Sequence, residues 1–118
     1  MTGTRATAAV LPRWPQRTVA VLSSVDEGVH AIPVGAPVRA GDRRILLSLH
    51  DSRDTVVRIR RWPEVAVTFL ADNVAFTARG RAAVVEEPTA VDRGTATVMI
   101  EVTEVDDHRR HNPARSDA

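Results

Sequence analysis

The stretch HAIPVGAPVRAGDRRILLSLHDSRDTVVRIRRWPEVAV, His30 to Val67, decides the fold of this chain. It reads as two strands joined by a turn, then a short helix, then a third strand. Val29 to Val38 is a strand interrupted by Pro33 and Pro37. Proline cannot donate to a ladder, so these positions belong at an edge, at a bulge, or where something else takes the neighbouring strand's place. Ala40-Gly41-Asp42 makes the next turn, and Arg44 to Leu49 is a mostly apolar strand buried on both faces or nearly so. Past His50 and Asp51, Ser52 is placed to cap a helix and Asp54 to meet its dipole. From Arg53 to Trp62, Val56 and Ile59 fall at helical spacing, with Val57 or Trp62 as extensions, and Arg58, Arg60 and Arg61 are left largely to solvent. Pro63 ends the helix at or before Trp62. The junction SLHDSRDT gathers hydroxyls, a histidine and an arginine where helix N–H groups lack partners, a chemistry that suits a phosphate.

Working outward, Thr18 to Ser24 reads as a strand rich in β-branched residues, followed by the turn VDEGV. Downstream, Glu64 to Leu70 alternates Val65, Val67 and Phe69 on one face with Ala66, Thr68 and Leu70 on the other. Asp72-Asn73 is a hairpin turn. Val74 to Val85 is a long strand in which Gly80 marks a bulge or bend. Thr77, Arg79 and Arg81 lie on its outward face. A polar loop over Glu86 to Gly94 leads to a last strand, Thr95 to Val105, with Ala96, Val98, Ile100 and Val102 inward. Six strands, one short helix and no βαβ unit predict a mainly β protein: a six-stranded antiparallel split β-barrel with a short internal helix. Residues 1–17 form an irregular segment broken by Pro12 and Pro15, with at most one helical turn over Ala6 to Leu11 and Trp14 as a lid over one end of the core. The barrel domain spans 18–105, and the polar tail 106–118 is expected to be disordered.

At 118 residues this is a single domain, short of the size at which a barrel is comfortably self-sufficient, so association into a dimer is expected. There is no cysteine, which excludes a disulfide framework and a thiolate zinc site. The net charge is +1, and every basic side chain apart from histidine is arginine. Without lysine there is no Schiff-base chemistry, and a phosphate must be held by arginine, hydroxyls or backbone N–H groups. Aromatics make up 3% with no tyrosine, a poor supply for base stacking, which argues against nucleic acid as a partner. No apolar run approaches the roughly 20 residues of a membrane span, and no signal-peptide core is evident, so a cytoplasmic protein is expected. His108 and His111 are spaced like helical metal ligands but lack a carboxylate in register, and no metal site is expected.

The phrases HAIPV at 30 to 34, ILLSLHDSRDT at 45 to 55, VVRIRRWPEVAVTFL at 56 to 70, VAFTARGRAAVVEEP at 74 to 88 and IEVTEV at 100 to 105, in this order and spacing, resemble the pyridoxamine 5′-phosphate oxidase-like, flavin-binding split-barrel family. The resemblance covers Thr18 to Val105. It implies a homodimer with FMN, or in some branches the deazaflavin F420, in clefts at the dimer interface. Carried over residue by residue, it implies that Ala31, Ile32, Pro33 and Val34 line the flavin ring. Ser48, Leu49 and His50 at the strand end, with Ser52, Arg53 and Thr55 at the start of the helix, would hold the phosphate or ribityl chain. Three features depart from the family pattern. Thr55 stands where many members have a phosphate-binding lysine, Arg58 stands where an asparagine is common, and the N-terminal helix is truncated and proline-broken. The C-terminal segment that completes a pyridoxal phosphate site has no counterpart, so vitamin B6 oxidase activity is not expected.

The resemblance therefore implies an FMN-dependent oxidoreductase that passes a hydride or electrons to a small molecule. No side chain makes a persuasive acid–base pair, and the cofactor would carry the chemistry. Two other readings stand beside it: a non-catalytic module that binds flavin, F420 or haem, and a cofactor-free dimer that keeps only the fold.

Overall fold

The computed structural model of the protein describes residues 10–25, 28–50, 53–86 and 95–111. Its elements are β1 (Val19–Val25), β2 (Val29–Gly35), β3 (Val38–Gly41), β4 (Arg44–His50), α1 (Arg53–Arg61), β5 (Glu64–Ala71), β6 (Val74–Glu86) and β7 (Thr95–Asp107). A 3-10 turn over His108–His111 closes the order. Residues 6–9 of the helical turn expected over 6–11, Asp26 and Glu27 of the VDEGV turn, the Ser52 cap, the loop over 87–94 and the tail beyond 111 lie outside the described residues.

The strands form one antiparallel sheet in the order β2-β1-β5-β6-β7-β4-β3. Strands β2 and β3 are the two edges, yet only Ala36 and Pro37 separate them in the chain. A link that short forces the sheet to curl until its edges meet, which makes a split barrel with a seam between β2 and the β3–β4 hairpin. Here the structure divides what the sequence pattern suggested was one strand over Val29 to Val38, giving seven strands among the described residues where six were expected. The physical cause is local. Ala36 takes a left-handed φ of 48° and Pro37 offers no N–H, so the ladder stops and the chain crosses the seam.

Inside the barrel, alternation does what period-2 patterning predicts. Val65, Val67 and Phe69 of β5 and Ala96, Val98, Ile100 and Val102 of β7 are buried, while Glu64, Leu70, Glu101 and Thr103 are exposed. Strand β4 is one-sided rather than buried on both faces. Ile45, Leu47 and Leu49 enter the core, whereas Arg44 and Ser48 are exposed and Leu46 is half-buried opposite Val38. The next turn also shifts by one residue, since Gly41 stays in β3 opposite Arg44 at φ 150° and the chain reverses over Asp42 and Arg43.

Gly80 sits at a β-bulge. The β6–β7 register passes from Arg79 opposite Glu104 to Gly80 opposite Val102, which leaves Thr103 as the extra residue. The backbones approach so closely there that a Cβ on Gly80 would lie 2.1 Å from the carbonyl oxygen of Glu101. This bulge bends the long strands around the core. At Asp72-Asn73 the expected hairpin turn forms, with Asn73 accepting a φ of 61°.

Both ends of the barrel are plugged. At one end the rings of Phe69 and Phe76 stack at 4.5 Å, and Trp14 lies over Phe69 at 4.3 Å. The indole N–H of Trp14 donates to the Pro37 carbonyl at 3.0 Å, so the lid is pinned to the β2–β3 link. Leu11 is buried beside it. Its N–H donates to the Asp42 carbonyl, and its own carbonyl accepts from Arg39, which ties the segment across β3. At the other end α1 lays Val56 and Ile59 into the core and leaves Val57 outside, half of its side chain in water. The Trp62 N–H closes the helix on the Arg58 carbonyl, and Pro63 ends it. Among the described residues no helix is long and apolar enough to cross a membrane.

Candidate functional site

The register between β1 and β2 fixes what the edge of β2 offers. Ala36 N–H donates to the Thr18 carbonyl, so the pairs two residues apart from it, Ala20 with Val34 and Leu22 with Ile32, are the hydrogen-bonded ones. The intervening residues Ala31, Pro33 and Gly35 therefore turn their peptide groups away from β1, toward the open edge. Pro33 has no N–H to turn, which is why proline is tolerated there. The edge thus presents the N–H and C=O of Ala31 and the C=O of Pro33 to the seam.

On the far lip of the seam lies the strand-to-helix junction. Strands β2 and β4 pack against each other, and α1 follows β4 after a two-residue gap. The described candidate residues thus lie on two elements that meet at one seam, with Ala31 to Val34 on one lip and Ser48, Leu49, His50, Arg53 and Thr55 on the other. Their side chains do not contribute alike. Ala31, Pro33 and Ser48 are exposed, and Ile32 and Thr55 are half-buried. Val34 and Leu49 are buried in the core, so they can serve a ligand only through their backbones. His50 ends β4 and Arg53 begins α1, while Ser52 lies outside the described residues. In the first turn of α1, Asp54 is exposed at the positive end of the helix dipole.

Two residues at the seam were not among the sequence candidates. His30 precedes Ala31 on β2, and its Nε2 is contacted by the Arg58 guanidinium of α1. Arg58 is half-buried by this contact rather than left to solvent like Arg60 and Arg61. The sequence signals were the place of His30 at the head of HAIPV and Arg58 standing where the resembled family commonly has an asparagine, and 28 residues separate the pair.

Away from the seam, the outward arginines of β6 are paired within the sheet. Arg79 meets Asp106 and Glu104, and Arg81 meets Glu64 at 3.0 Å. Thr77, expected on the solvent face, is covered because the closing turn folds back over it. Its Oγ1 lies 2.8 Å from His108 Nε2 and 3.0 Å from Thr68 Oγ1. An open groove of about 530 Å³ at the other end of β4 is lined by Val10, Asp42, Arg43, Arg44 and Glu101, and Arg44 is committed there to Glu101. None of the candidate residues lines it. Finally, Val19, Val21 and Leu70 are 57%, 41% and 74% exposed. Val21 stands opposite Pro33 and Val19 opposite Gly35, so they form an apolar outer face continuous with the β2 lip.

This architecture, a curled antiparallel sheet with one helix plugging the seam end, is that of a split-barrel protein. Residues 6–116 match the family described as pyridoxamine 5′-phosphate oxidase, and the chain belongs to that family. No curated protein matches it. Solved structures share the fold at low identity. A Listeria innocua protein provisionally described as a pyridoxamine 5′-phosphate oxidase is 17% identical, covering 76% of this chain and 87% of that one at a TM-score of 0.62. An F420 reductase is 12% identical, covering 76% and 90% at 0.61. A flavin reductase is 18% identical, covering 77% and 79% at 0.57.

Proposed function

We propose that the protein is an FMN-binding oxidoreductase that acts as a homodimer on a small-molecule substrate in the cytoplasm, with the cofactor seated at the seam against the partner subunit. The observation that carries this reading is the convergence of the open β2 edge with the β4–α1 junction. The donor set suits a flavin nucleotide. Peptide groups of Ala31 and Pro33 match the polar edge of a heteroaromatic ring. The Ser48 hydroxyl, the first-turn N–H groups of α1, Thr55, Ser52 and Arg53 offer what a phosphate dianion needs. His50, at the end of β4, and the backbones of Ile32, Val34 and Leu49 complete the lips. The apolar face of Val19, Val21 and Leu70 adjoins the β2 lip and would be covered by the second subunit. Bound there, the flavin supplies hydride or electron transfer, and the chain's residues hold and orient it.

The test is an absorbance spectrum of the purified protein, then titration with FMN, F420 and haemin. Saturation by FMN at one site per subunit supports the proposal. Selective binding of F420 or haemin reassigns the cofactor, and binding of none leaves a cofactor-free dimer. Arg53→Ala is expected to weaken FMN binding by about 1–3 kcal/mol. An unchanged dissociation constant removes Arg53 from the site.

A further inference from the structure

Residues 11–18 cross the end of the barrel away from α1 as a strap, fastened on both sides of the seam. On the β3 side the Leu11 N–H donates to the Asp42 carbonyl at 2.7 Å, and the Arg39 guanidinium donates to the Leu11 carbonyl at 2.9 Å. On the β2 side the Thr18 carbonyl accepts from the Ala36 N–H at 3.1 Å. Between these anchors the Trp14 indole N–H donates to the Pro37 carbonyl at 3.0 Å, on the link that carries the chain from β2 to β3. We propose that Trp14 is a positioning residue for the seam: its bond to Pro37 holds the β2 lip at a fixed distance from β4, and so sets the affinity for the flavin nucleotide. The proposal rests on the seam being the ligand site and assigns a residue that acts on it from outside.

Strand β2 is laddered to β1 and packs against β4 without pairing to it, so among the described residues no ladder fixes the width of the gap. The width is set where the chain crosses, at Ala36 and Pro37. Ala36 is held there at a left-handed φ of 48°, a conformation that a residue with a Cβ keeps only when its surroundings impose it. The contacts that impose it are the Thr18 bond to its own N–H and the Trp14 bond to the next carbonyl. The strap is itself firm. Thr18 is buried, and its N–H and hydroxyl both donate to the Pro15 carbonyl. The Trp14 ring packs on Phe69 at 4.3 Å and lies 5.9 Å from Phe76. An indole suits this task because the core grips its ring while its one donor reaches outward. Pro33, whose carbonyl faces the open edge, lies four residues before Pro37, about 13 Å along the chain. A shift at the link is therefore carried to the ligand lip through β2 itself.

The experiment compares the parent with two variants. Trp14→Phe keeps an aromatic ring on Phe69 and removes the N–H donor, whereas Ile100→Val loosens the core at a fully buried position outside the strap and the seam. FMN affinity and the unfolding midpoint are measured on all three. The coupling between a tie and a ligand cannot exceed what the tie is worth, which for one hydrogen bond is about tenfold. The expected result is that Trp14→Phe weakens FMN binding by about threefold to tenfold. Ile100→Val is expected to bind FMN as the parent does, although its midpoint also falls. An affinity in Trp14→Phe equal to the parent's, or a loss matched by Ile100→Val, overturns the positioning role. If FMN does not bind the parent, the proposed function fails instead, and the strap is judged on ligand-free protein by amide hydrogen exchange. The Ala36 N–H and the β2 amides must then exchange faster in Trp14→Phe than in Ile100→Val, each relative to the β5 amides of the same protein. Equal protection overturns the tie.

Discussion

Gly80→Ala tests the bulge that bends the barrel. The added Cβ would stand 2.1 Å from the Glu101 carbonyl oxygen and 2.9 Å from both its carbon and Val102 Cα. All three are backbone atoms of the paired strand, so no side chain can rotate away. Reaching ordinary contact at 3.4 Å requires β6 and β7 to part by roughly 1 Å. Two ladder hydrogen bonds flank the bulge, each with a net worth of ~0.5–1.5 kcal/mol. Overpacking strain adds ~1–3 kcal/mol. A loss of about 2–5 kcal/mol follows, a large part of a domain's usual stability. Urea unfolding followed by far-UV circular dichroism reads it as a midpoint shift of about 1–2 M at an ordinary denaturant slope. Gly35→Ala is the control: nothing lies within 4 Å of its Cβ position, and stability is expected within about 0.5 kcal/mol of the parent. A Gly80→Ala protein as stable as Gly35→Ala would refute the reasoning.

Two further predictions concern the lid and the outer face. Trp14→Ala removes the ring packed on Phe69 and its bond to Pro37, and is expected to cost about 2–4 kcal/mol, measured by thermal unfolding, with Trp14→Phe recovering part of the loss. Val21→Asp places a charge in the exposed apolar face beside the β2 lip. If the parent is the dimer proposed above, sedimentation velocity is expected to show dimer for the parent and monomer for the variant, and an unchanged dimer would move the interface elsewhere.

The barrel was legible because its signals are local and repeated. Val65, Val67 and Phe69, and the alternation from Ala96 to Val102, state their burial through period 2 alone, and Pro63 and Asp72-Asn73 mark ends that form as read. Gly80 was legible as a bulge because a glycine inside a strand has few other uses. The division of β2 from β3 was not. Pro33 and Pro37 look alike in sequence, yet the first rides an open edge within a strand while the second ends the ladder, and only the register tells them apart. Leu46 misled for a similar reason, since an apolar residue on an outer face beside Val38 reads as core. His108 sits in a polar segment whose composition suggests disorder, and its bond to Thr77 depends on a fold-back that no local pattern records. The helix was readable too, from its apolar spacing and from Pro63 at its end. The tie from His30 to Arg58 was not, because it exists only once the sheet has curled.

The strand order also carries a kinetic consequence. Each of β1–β2, β3–β4 and β5–β6–β7 pairs neighbours in the chain, so all three can assemble early as hairpins or a meander. What joins them is non-local: Ala20 must find Phe69, and Ser48 must find Thr97, each about fifty residues away. The entropy of closing these two loops falls before either contact is rewarded, and it sets the folding rate. Substitutions on the β1–β5 and β4–β7 seams therefore slow folding, whereas those confined to the β3–β4 turn act on unfolding.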